Sequence, residues 1–431
     1  MTKSIDISKL IDTQYKEFAR YVCFKRAIPS LIDGFKPSQR KAFFCVKGKG
    51  KFTKVVALSG EMISRAEYHH GDVSASDVIT NMSKDFTGSN QIPPFLKDGS
   101  FGNKFVKDAS SPRYIYSKPN PAYYNLFADH EIVKPNPDPE TPEPLFYLPI
   151  IPTILLNGVD GIAVGYRTTI QPYNIEDIKK YITMYIVTGR TDVKLEPYYK
   201  GYTGKIIYDS DIEKYVMCGV YQKVNTSTIK ITEIPVNLDR SKYIKILTKL
   251  EDDGLISSWK DNSKTQWDIT IKLPRASKLW EDPVKHLKLK YNLNESLTVL
   301  DENNKIVVFN NVYDIINHFI RFRLKVYGVR KRFMMNKLKE DILFNQSKIK
   351  FIKLFTKIDF KNMTKKEIRD LLVSKKCRED FIERLLNIKV YNLSADEIQR
   401  CKELIEQLKT EFVWYKKITV MDLYKIDLKN I

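Results

Sequence analysis

The chain has 431 residues and a formal net charge of +20, with 72 lysines and arginines against 52 aspartates and glutamates. This length allows two to four domains, and the excess of cations indicates a polyanionic partner. There is no apolar stretch near the ~20 residues of a membrane span, no signal peptide and no Cys-x-x-Cys pair among the five scattered cysteines, so we expect a cytoplasmic protein without disulfides or zinc.

Residues 1–133 are predicted to form one domain of short helices separated by glycine turns. Pro37 suits the first position of a helix that runs through Phe44. Gly71 leaves His70 at a turn that opens a second helix, predicted over residues 73–82. Helices with basic N-terminal ends are typical of a helix-turn-helix fold on DNA.

This first domain contains a long basic segment. No acidic residue occurs between Asp33 and Glu61. Seven cations accumulate there: Lys36, Arg40, Lys41, Lys47, Lys49, Lys51 and Lys54. We interpret the segment as a DNA contact. A second basic run, from Arg321 to Arg332, is interpreted as a solvated helix face.

A proline-rich segment, residues 134–145, is predicted to be an extended connector, because proline lacks a backbone donor and fixes φ. It is interpreted as a domain boundary, with a crossing loop inside one domain as the alternative. Residues 146–310 then change to a strand pattern with one helix, predicted over residues 241–252. The five strands are predicted at residues 205–208, 227–234, 267–273, 297–300 and 306–309, which are rich in β-branched and aromatic residues.

Residues 311–431 are predicted to be helical. Apolar residues recur every three or four positions over about forty residues after Asn311, which indicates a long helix. Capping boxes at Thr364 and Ser394 predict further helix starts at residues 365 and 395. The helix after Ser394 is predicted to pack antiparallel on the long helix. Its packing face is predicted to contain Ile398, Cys401, Leu404, Leu408 and Phe412.

The segment between these helices, here called the tip, carries apolar residues that are predicted to need burial against another surface. Its apolar residues are Phe381, Leu385, Leu386, Ile388 and Val390. We expect two copies of the chain to pair there around a two-fold axis. A plain helical hairpin with no partner is the alternative.

Arg113 and Tyr114 form a pair with possible cleavage chemistry. A tyrosine hydroxyl, with an ordinary pKa near 10, attacks a phosphodiester poorly unless its anion is stabilised. A neighbouring guanidinium stabilises the phenolate and the charge that grows on the phosphoryl oxygens. Tyr116 is the alternative nucleophile, since it would lie on the same strand face as Tyr114.

Four further motifs accompany this pair along the chain. They are Arg26-Ala-Ile-Pro with Asp33-Gly34-Phe-Lys36-Pro, then Tyr68-His69-His70-Gly71, then Phe101-Gly102-Asn103, and finally Leu156-Asn157-Gly158 with Gly161-Ile162-Ala-Val-Gly165. In this order and spacing, the set resembles the DNA breakage-reunion subunit of type IIA topoisomerases. With no ATPase region ahead of it and a short tail, the chain most resembles the separate subunits of tailed-phage enzymes, which act in the host cytoplasm.

The resemblance implies a fold and a reaction. The fold would be multidomain mixed α/β, with a winged-helix cleavage domain in residues 1–133, a tower domain in 146–310, and a coiled-coil arm with a dimerisation tip in 311–431. Tyr114 would attack the DNA backbone and form a transient 5′-phosphotyrosyl break, so that a second duplex can pass. The expected outcome is relaxation or decatenation.

The resemblance also assigns the site residues. Arg113, His70 and Arg26 would join Tyr114 in catalysis. Ile162 would be a wedge that unstacks a base step. The predicted DNA-binding cations are Lys36, Arg40, Lys41, Lys49, Lys51 and Lys54.

Two expected motifs are missing from the chain. It has neither a P-loop nor the Glu…Asp-x-Asp cluster with which the family's TOPRIM domain holds Mg²⁺. We therefore expect no metal site here, and a large partner subunit that binds both Mg²⁺ and ATP. The expected assembly is a homodimer of this chain within a hetero-oligomer on double-stranded DNA, away from membranes.

Two other classes of protein are considered. A tyrosine recombinase needs His-x-x-Arg ahead of its tyrosine, and a rolling-circle nickase needs a His-hydrophobe-His pair, and His69-His70 supplies neither. An architectural DNA-bending protein, in which Tyr114 merely contacts phosphate, is the non-enzymatic alternative.

Overall fold

A computed structural model describes residues 7–275, 277–358, 363–375, 377–389 and 393–431. The fold is mixed α/β, as predicted, and divides into two compact units. The first comprises residues Met1–Arg321 with Asp427–Ile431, and the second comprises Phe322–Ile426. None of the helices in the described ranges combines the length and the apolar character that a bilayer span needs.

The first unit begins with helices that two π-helical turns interrupt. In order these are α1 (Ile7–Leu10), a π-helical turn (Ile11–Tyr15), α2 (Lys16–Val22) and a second π-helical turn (Cys23–Ala27). Then follow α3 (Pro37–Val46), β1 (Thr53–Lys54), α4 (Val55–Arg65), α5 (Asp72–Ser83), β2 (Phe95–Asp98) and β3 (Tyr116–Pro119). The helix predicted from Pro37 is confirmed, and the one predicted over residues 73–82 extends one residue further at each end.

Helices α3, α4 and α5 pack around one core, to which each contributes fully buried apolar side chains. These include Phe43 and Val46 from α3, Leu58 and Met62 from α4, and Ile79 from α5. Beside them lies an antiparallel sheet in the order β1-β3-β2. Strand β3 starts two residues after Tyr114, so this sheet determines where the tyrosine lies.

The proline-rich segment, residues 134–145, contains neither helix nor strand, as predicted. Two ion pairs connect it to the preceding helices. The Nζ atom of Lys25 lies 3.2 Å from an Asp138 oxygen, and that of Lys41 lies 3.0 Å from a Glu143 oxygen. A domain boundary at this segment stays a prediction.

The rest of the first unit is a series of small antiparallel sheets with short helices. The helices are α6 (Pro121–Tyr124), α7 (Thr153–Asn157), α8 (Ile175–Thr188), α9 (Arg240–Asp252) and α10 (Pro283–His286). The strands are β4 (Val159–Ile162), β5 (Arg167–Ile170), β6 (Lys205–Asp209), β7 (Lys214–Cys218), β8 (Val220–Asn225), β9 (Thr228–Glu233), β10 (Ser258–Asp261), β11 (Ile269–Lys272), β12 (Lys290–Leu293), β13 (Leu297–Leu300) and β14 (Ile306–Phe309). Two 3₁₀ turns, His130–Ile132 and Lys278–Trp280, complete the unit.

All five predicted strands and the predicted helix are present, as β6, β9, β11, β13, β14 and α9. Helices α7, α8 and α10 and the strands β4, β5, β7, β8, β10 and β12 were not predicted. Strand β8 shows why: its last four residues are exposed, so it lacks the apolar alternation of a half-buried strand. Its pairing with β9 is what makes it a strand.

The second unit is helical. It contains most of helix α11 (Val312–Phe355), which has 44 residues, as the long apolar repeat predicts. Helices α12 (Lys365–Ser374), α13 (Glu379–Leu386), α14 (Ala395–Lys417) and α15 (Val420–Lys429) follow, and α12 and α14 begin where the capping boxes predict.

Helix α14 runs antiparallel to α11. Lys348 of α11 pairs with Glu397 at the start of α14 at 2.6 Å, whereas Lys331 donates to the carbonyl of Ile418, past the end of α14, at 2.7 Å. The predicted packing face is wrong at one position: Leu404 is 41% exposed and Ile405 is buried. The face follows Cys401, Ile405, Leu408, Phe412 and Tyr415.

The tip prediction is also wrong in part. Phe381 and Leu385 do not need another chain, because both are buried against Phe351 and Leu372 of the same unit. Leu386 and Ile388 are half-buried against this cluster. Val390 lies outside the described residues.

Candidate active site

Tyr114 lies in a turn rather than in a strand. Its backbone N–H donates to the carbonyl of Ser111 at 2.9 Å, and strand β3 begins only at Tyr116. The expectation that the tyrosine belongs to the strand itself is therefore wrong. Its side chain is 68% exposed, which leaves the hydroxyl accessible to a large substrate.

Arg113 lies close to Tyr114 because of this turn. In a regular strand the two side chains would point to opposite faces. Here the guanidinium carbon of Arg113 lies 6.0 Å from the centre of the Tyr114 ring. Both side chains are exposed, so the guanidinium and the hydroxyl are accessible from solvent side by side.

Backbone hydrogen bonds from helix α4 hold the turn in place. The N–H groups of Val55 and Val56, at the start of α4, donate to the carbonyls of Ile115 (3.0 Å) and Pro112 (3.2 Å). Ile115 is buried, and a Cβ on Gly99, whose φ is +97°, would lie 3.1 Å from Cγ2 of Ile115. The exposed Tyr114 thus directly precedes Ile115, whose buried side chain fixes the position of the turn.

Tyr116 has a different environment. It is half-buried on β3, in register with Lys54 of β1 and Asp98 of β2. Paired on both sides, it is less available to a substrate than Tyr114. The geometry favours Tyr114 as the reactive residue.

Four other predicted residues converge on one cavity of about 510 Å³. Its lining includes Arg26, Lys36, His70 and Ile162, which come from four separate segments of the chain. Tyr114 and Arg113 do not line it. The structure thus brings together two predicted cations, the predicted histidine and the predicted wedge in a cavity that the tyrosine turn does not line.

His70 lies in the turn before α5. Its pKa is lowered, first by burial and then by the positive charges of Arg26 and His69. Its Nε2 atom lies 2.7 Å from the hydroxyl oxygen of Tyr21. The imidazole is therefore held in place and is neutral near pH 7.

Lys36 lies at the N-terminal end of α3, where its backbone N–H donates to the side-chain oxygen of Gln39 at 2.9 Å. Burial lowers the pKa of its ammonium group, and the nearby Asp160 carboxylate opposes this shift. A Cβ on Gly161 would lie 3.4 Å from Cε of Lys36 and would collide with the carbonyl oxygen of Ala27. Glycine at this position lets the β4–β5 hairpin approach the cations.

Ile162 ends strand β4, opposite Arg167 of β5. Its side chain is 81% exposed, the highest value among the large hydrophobic residues of the described ranges. The neighbouring Ala163 N–H donates to the carbonyl of Tyr166 at 2.9 Å, which closes the hairpin. As the flanking glycines predict, an apolar side chain projects from a tight hairpin.

Two cations in the first part of the basic segment, Arg40 and Lys41, are paired within the protein. Arg40 is 8% exposed and forms two hydrogen bonds with Asp33, at 2.8 and 2.9 Å. Lys41 bonds Glu143 and the carbonyl of Ala66. Burial contradicts the predicted DNA contact of Arg40, whereas a contact of the partly exposed Lys41 stays a prediction.

The second part of the segment is different. Lys51 and Lys54 are exposed, as a DNA contact requires. Lys49 is intermediate, since it is partly exposed and lies 2.6 Å from a Glu61 oxygen. Apart from Lys36, which lines the cavity, the cations of this segment with the greatest exposure lie at the end that adjoins the Tyr114 turn.

Within the described ranges, no three His, Cys, Asp or Glu side chains lie close enough together to hold a metal ion. The sequence analysis missed two residues that shape the site. Asp33 fixes Arg40 across a turn, and Tyr21 bonds His70 from 49 residues away. Because no acidic residue lies between Asp33 and Glu61, Asp33 is the carboxylate nearest to Arg40 in the sequence and could have been identified as its partner. No spacing rule relates Tyr21 to His70.

The fold and these motifs define a class of protein, the type II DNA topoisomerases. The chain belongs to the family formed by the A subunits of DNA gyrase and topoisomerase IV, whose model matches residues 26–429. The family resemblance seen in the sequence is confirmed.

Among individual relatives, the DNA topoisomerase medium subunit of Enterobacteria phage T4 is 32% identical, covering 99% of this chain and 98% of that protein. The mitochondrial DNA topoisomerase 2 of Dictyostelium discoideum is 30% identical and covers the whole chain, which spans 36% of that protein. The DNA-binding, cleavage and re-ligation domain of Plasmodium falciparum topoisomerase II superposes with a TM-score of 0.89 at 28% identity, covering 98% of this chain and 63% of the other.

Proposed function

We propose that this chain is the DNA breakage-reunion subunit of an ATP-dependent type II topoisomerase. The observation that carries the proposal is the exposed Tyr114 beside Arg113 on a firmly held turn. The Tyr114 Oη atom forms a bond to a backbone phosphorus as the bond from phosphorus to the 3′ oxygen breaks. The phenol gives up its proton to solvent and the departing 3′ oxygen takes one up to become a hydroxyl, so the exchange involves no net gain or loss of protons.

This exchange conserves the phosphodiester energy in the 5′-phosphotyrosyl link, so religation is the same step in reverse. Two copies of the chain, one for each strand, open a duplex through which a second duplex passes. The outcome is relaxation or decatenation of DNA. We infer that it takes place in the cytoplasm of an infected host cell, given the phage relative.

The surrounding cations have separate roles. Arg113 stabilises the phenolate and the developing charge on phosphorus. His70 and Arg26 interact with phosphoryl oxygens at the cavity, and Lys36 anchors the backbone beside them. Lys51 and Lys54 extend the contact along the duplex, with Lys49 as a weaker addition. Ile162 inserts between bases and bends the DNA, as exposed apolar side chains do in architectural proteins.

The subdivisions of the fold support this reaction. Helices α3–α5 with the sheet β1-β3-β2 are proposed as the winged-helix domain, and the strand-rich residues 146–310 as the tower. The antiparallel α11 and α14 are proposed as a coiled-coil arm with an exit gate at its tip. Because Phe381 and Leu385 are buried within the chain, the half-buried Leu386 and Ile388 are the remaining candidates for the homodimer contact.

A large partner subunit is proposed to supply Mg²⁺ and ATP binding. The described side chains form no cluster of acids suited to Mg²⁺, so we assign no step of the reaction on this chain to the metal. The phage T4 relative is named a medium subunit, which supports an assembly of several polypeptides. Alone, the chain should bind duplex DNA without hydrolysing ATP.

The test is a cleavage assay on the complex reconstituted with the partner subunit. Tyr114→Phe should abolish the covalent DNA complex while DNA affinity stays near that of the wild type, because only the nucleophilic oxygen is lost. Tyr116→Phe, the matched control on β3, should retain it.

The opposite pattern would transfer the role to Tyr116. An architectural DNA-bending function, which the exposed Ile162 also suits, predicts no covalent complex with any variant. Efficient Mg²⁺-dependent cleavage by the purified chain alone would contradict the role assigned to the partner.

A further inference from the structure

The ring of His70 contacts the rings of two tyrosines. The Tyr21 hydroxyl oxygen lies 2.7 Å from Nε2, and the Tyr21 ring meets the imidazole edge-on at 5.9 Å. The Tyr68 ring also contacts the imidazole, with ring centres 5.3 Å apart and an interplanar angle of 80°. Tyr68 is itself buried and bonds the hydroxyl of Ser74 at 2.8 Å. Tyr21 therefore makes the polar contact with His70, and Tyr68 makes an apolar one.

Tyr21 and Arg26 approach His70 from one helical segment. Tyr21 lies in α2, and Arg26 lies in the π-helical turn that follows. In an unbroken α-helix, side chains five residues apart point about 140° away from each other. The wider i→i+5 repeat of the π-helix reduces this angle, and such turns occur frequently at functional sites.

We propose that Tyr21 is a positioning residue for His70. Its hydroxyl donates to Nε2 and keeps the imidazole proton on Nδ1, where it can be donated to a phosphoryl oxygen of DNA. This inference rests on the proposed function, in which His70 faces the DNA backbone.

The direction of the hydrogen bond follows from charge. Burial and the neighbouring Arg26 and His69 lower the pKa of His70, so the ring carries a single proton near neutral pH. If that proton were on Nε2, the ring would donate to Tyr21, and Nδ1 would present a lone pair to an anionic oxygen. A phosphate next to Nδ1 therefore requires the arrangement in which Tyr21 donates.

The first test reads the tautomer directly. Long-range proton–nitrogen NMR spectra of the full chain, labelled at histidine and with His70 assigned through His70→Gln, should show the proton on Nδ1. Tyr21→Phe keeps the ring and removes the donor, so a population with the proton on Nε2 should appear. Tyr15→Phe, an exposed tyrosine earlier in the same helical segment, is the matched control and should change nothing. An Nε2 proton in the wild type, or an unchanged spectrum in Tyr21→Phe, would overturn the proposal.

The second test uses cleavage by the complex with the partner subunit. Tyr21→Phe should slow covalent complex formation roughly tenfold, the effect of losing about one hydrogen bond, without weakening DNA binding. In a His70→Ala background the same change should have no further effect. An equal loss in that background would show that Tyr21 acts elsewhere. Cleavage that survives in Tyr114→Phe would refute the proposed function instead, and the NMR result would still decide the role of Tyr21.

Discussion

The two ends of the basic segment between Lys36 and Lys54 both carry cations, but those cations have opposite environments. Near its start, Arg40 is buried against Asp33, with hydrogen bonds at 2.8 and 2.9 Å. Near its end, Lys51 and Lys54 are exposed beside the turn that carries Tyr114. One group of cations stabilises the fold, and the other is available to a polyanion.

This difference has a physical cause. A guanidinium removed from water needs a carboxylate with matching geometry, because an unpaired buried charge is very costly. Asp33 meets this need, and it also accepts hydrogen bonds from the backbone N–H groups of Phe35 and Tyr147 at 3.1 and 2.9 Å. The pKa of Arg40 is raised, since burial disfavours its charge but the Asp33 carboxylate more than compensates. An exposed lysine such as Lys51 keeps its hydration and needs no such partner.

The largest expected effect comes from breaking the buried pair. Arg40→Met should destabilise the protein by about 3–5 kcal/mol, because the Asp33 carboxylate stays buried without its cation. Lys51→Met, the matched exposed change, should stay within about 0.5 kcal/mol. Urea unfolding followed by circular dichroism measures both. Equal stabilities for the two variants would remove the distinction between the two ends.

The turn that carries Tyr114 shows the same contrast between adjacent residues. Ile115→Ala should destabilise by about 2–5 kcal/mol, since it removes a fully buried side chain beneath the turn. Tyr114→Ala should stay within about 0.5 kcal/mol, because its ring is mostly in solvent. Thermal unfolding compares them. A large loss in Tyr114→Ala would mean that the tyrosine is a packing residue.

The exposed end should control the salt dependence of DNA binding. Replacing Lys51 and Lys54 together by Gln should reduce the slope of log affinity against log salt by about 2, at about 0.9 for each lost phosphate contact. Lys41→Gln, which removes a cation already paired with Glu143, should leave the slope unchanged. Fluorescence anisotropy with a short duplex at several salt concentrations gives the slopes. A larger change in Lys41→Gln than in the double variant would reverse the assignment.

These contrasts show which features a sequence can predict. The helix starts after Thr364 and Ser394 were predicted correctly, because a capping box lies within four neighbouring residues. The burial of Arg40 and the contact of Tyr21 with His70 were not, because both depend on how distant segments pack. A shift of the buried face from Leu404 to Ile405 has the same origin, since the partner helix decides which residue turns inward.

The features of the candidate site also divide into those that the sequence predicts and those that depend on packing. Tyr114 and Arg113 could be found from their order in the chain, whereas the turn that brings their side chains together depends on hydrogen bonds from Val55 and Val56. The burial of Arg40 was not predicted for a related reason. Its partner Asp33 precedes the acid-free run and was interpreted as part of the Asp33-Gly34 turn.

The smallest expected effect concerns Lys49, which lies between the two environments. Its ion pair with Glu61 is short, at 2.6 Å, but the two side chains are 31% and 32% exposed. Solvent screens such pairs, so Glu61→Gln should change stability by no more than about 1 kcal/mol.

The same change leaves Lys49 without its carboxylate and removes a negative charge from the side of the protein that is proposed to face DNA. DNA affinity should therefore rise slightly, and the salt slope should steepen by at most about 0.9. Anisotropy titrations of Glu61→Gln, with Glu61→Gln/Lys49→Gln as the control, separate the two contributions. If the double variant binds as well as the single one, Lys49 does not contact DNA, and the exposed end is limited to Lys51 and Lys54.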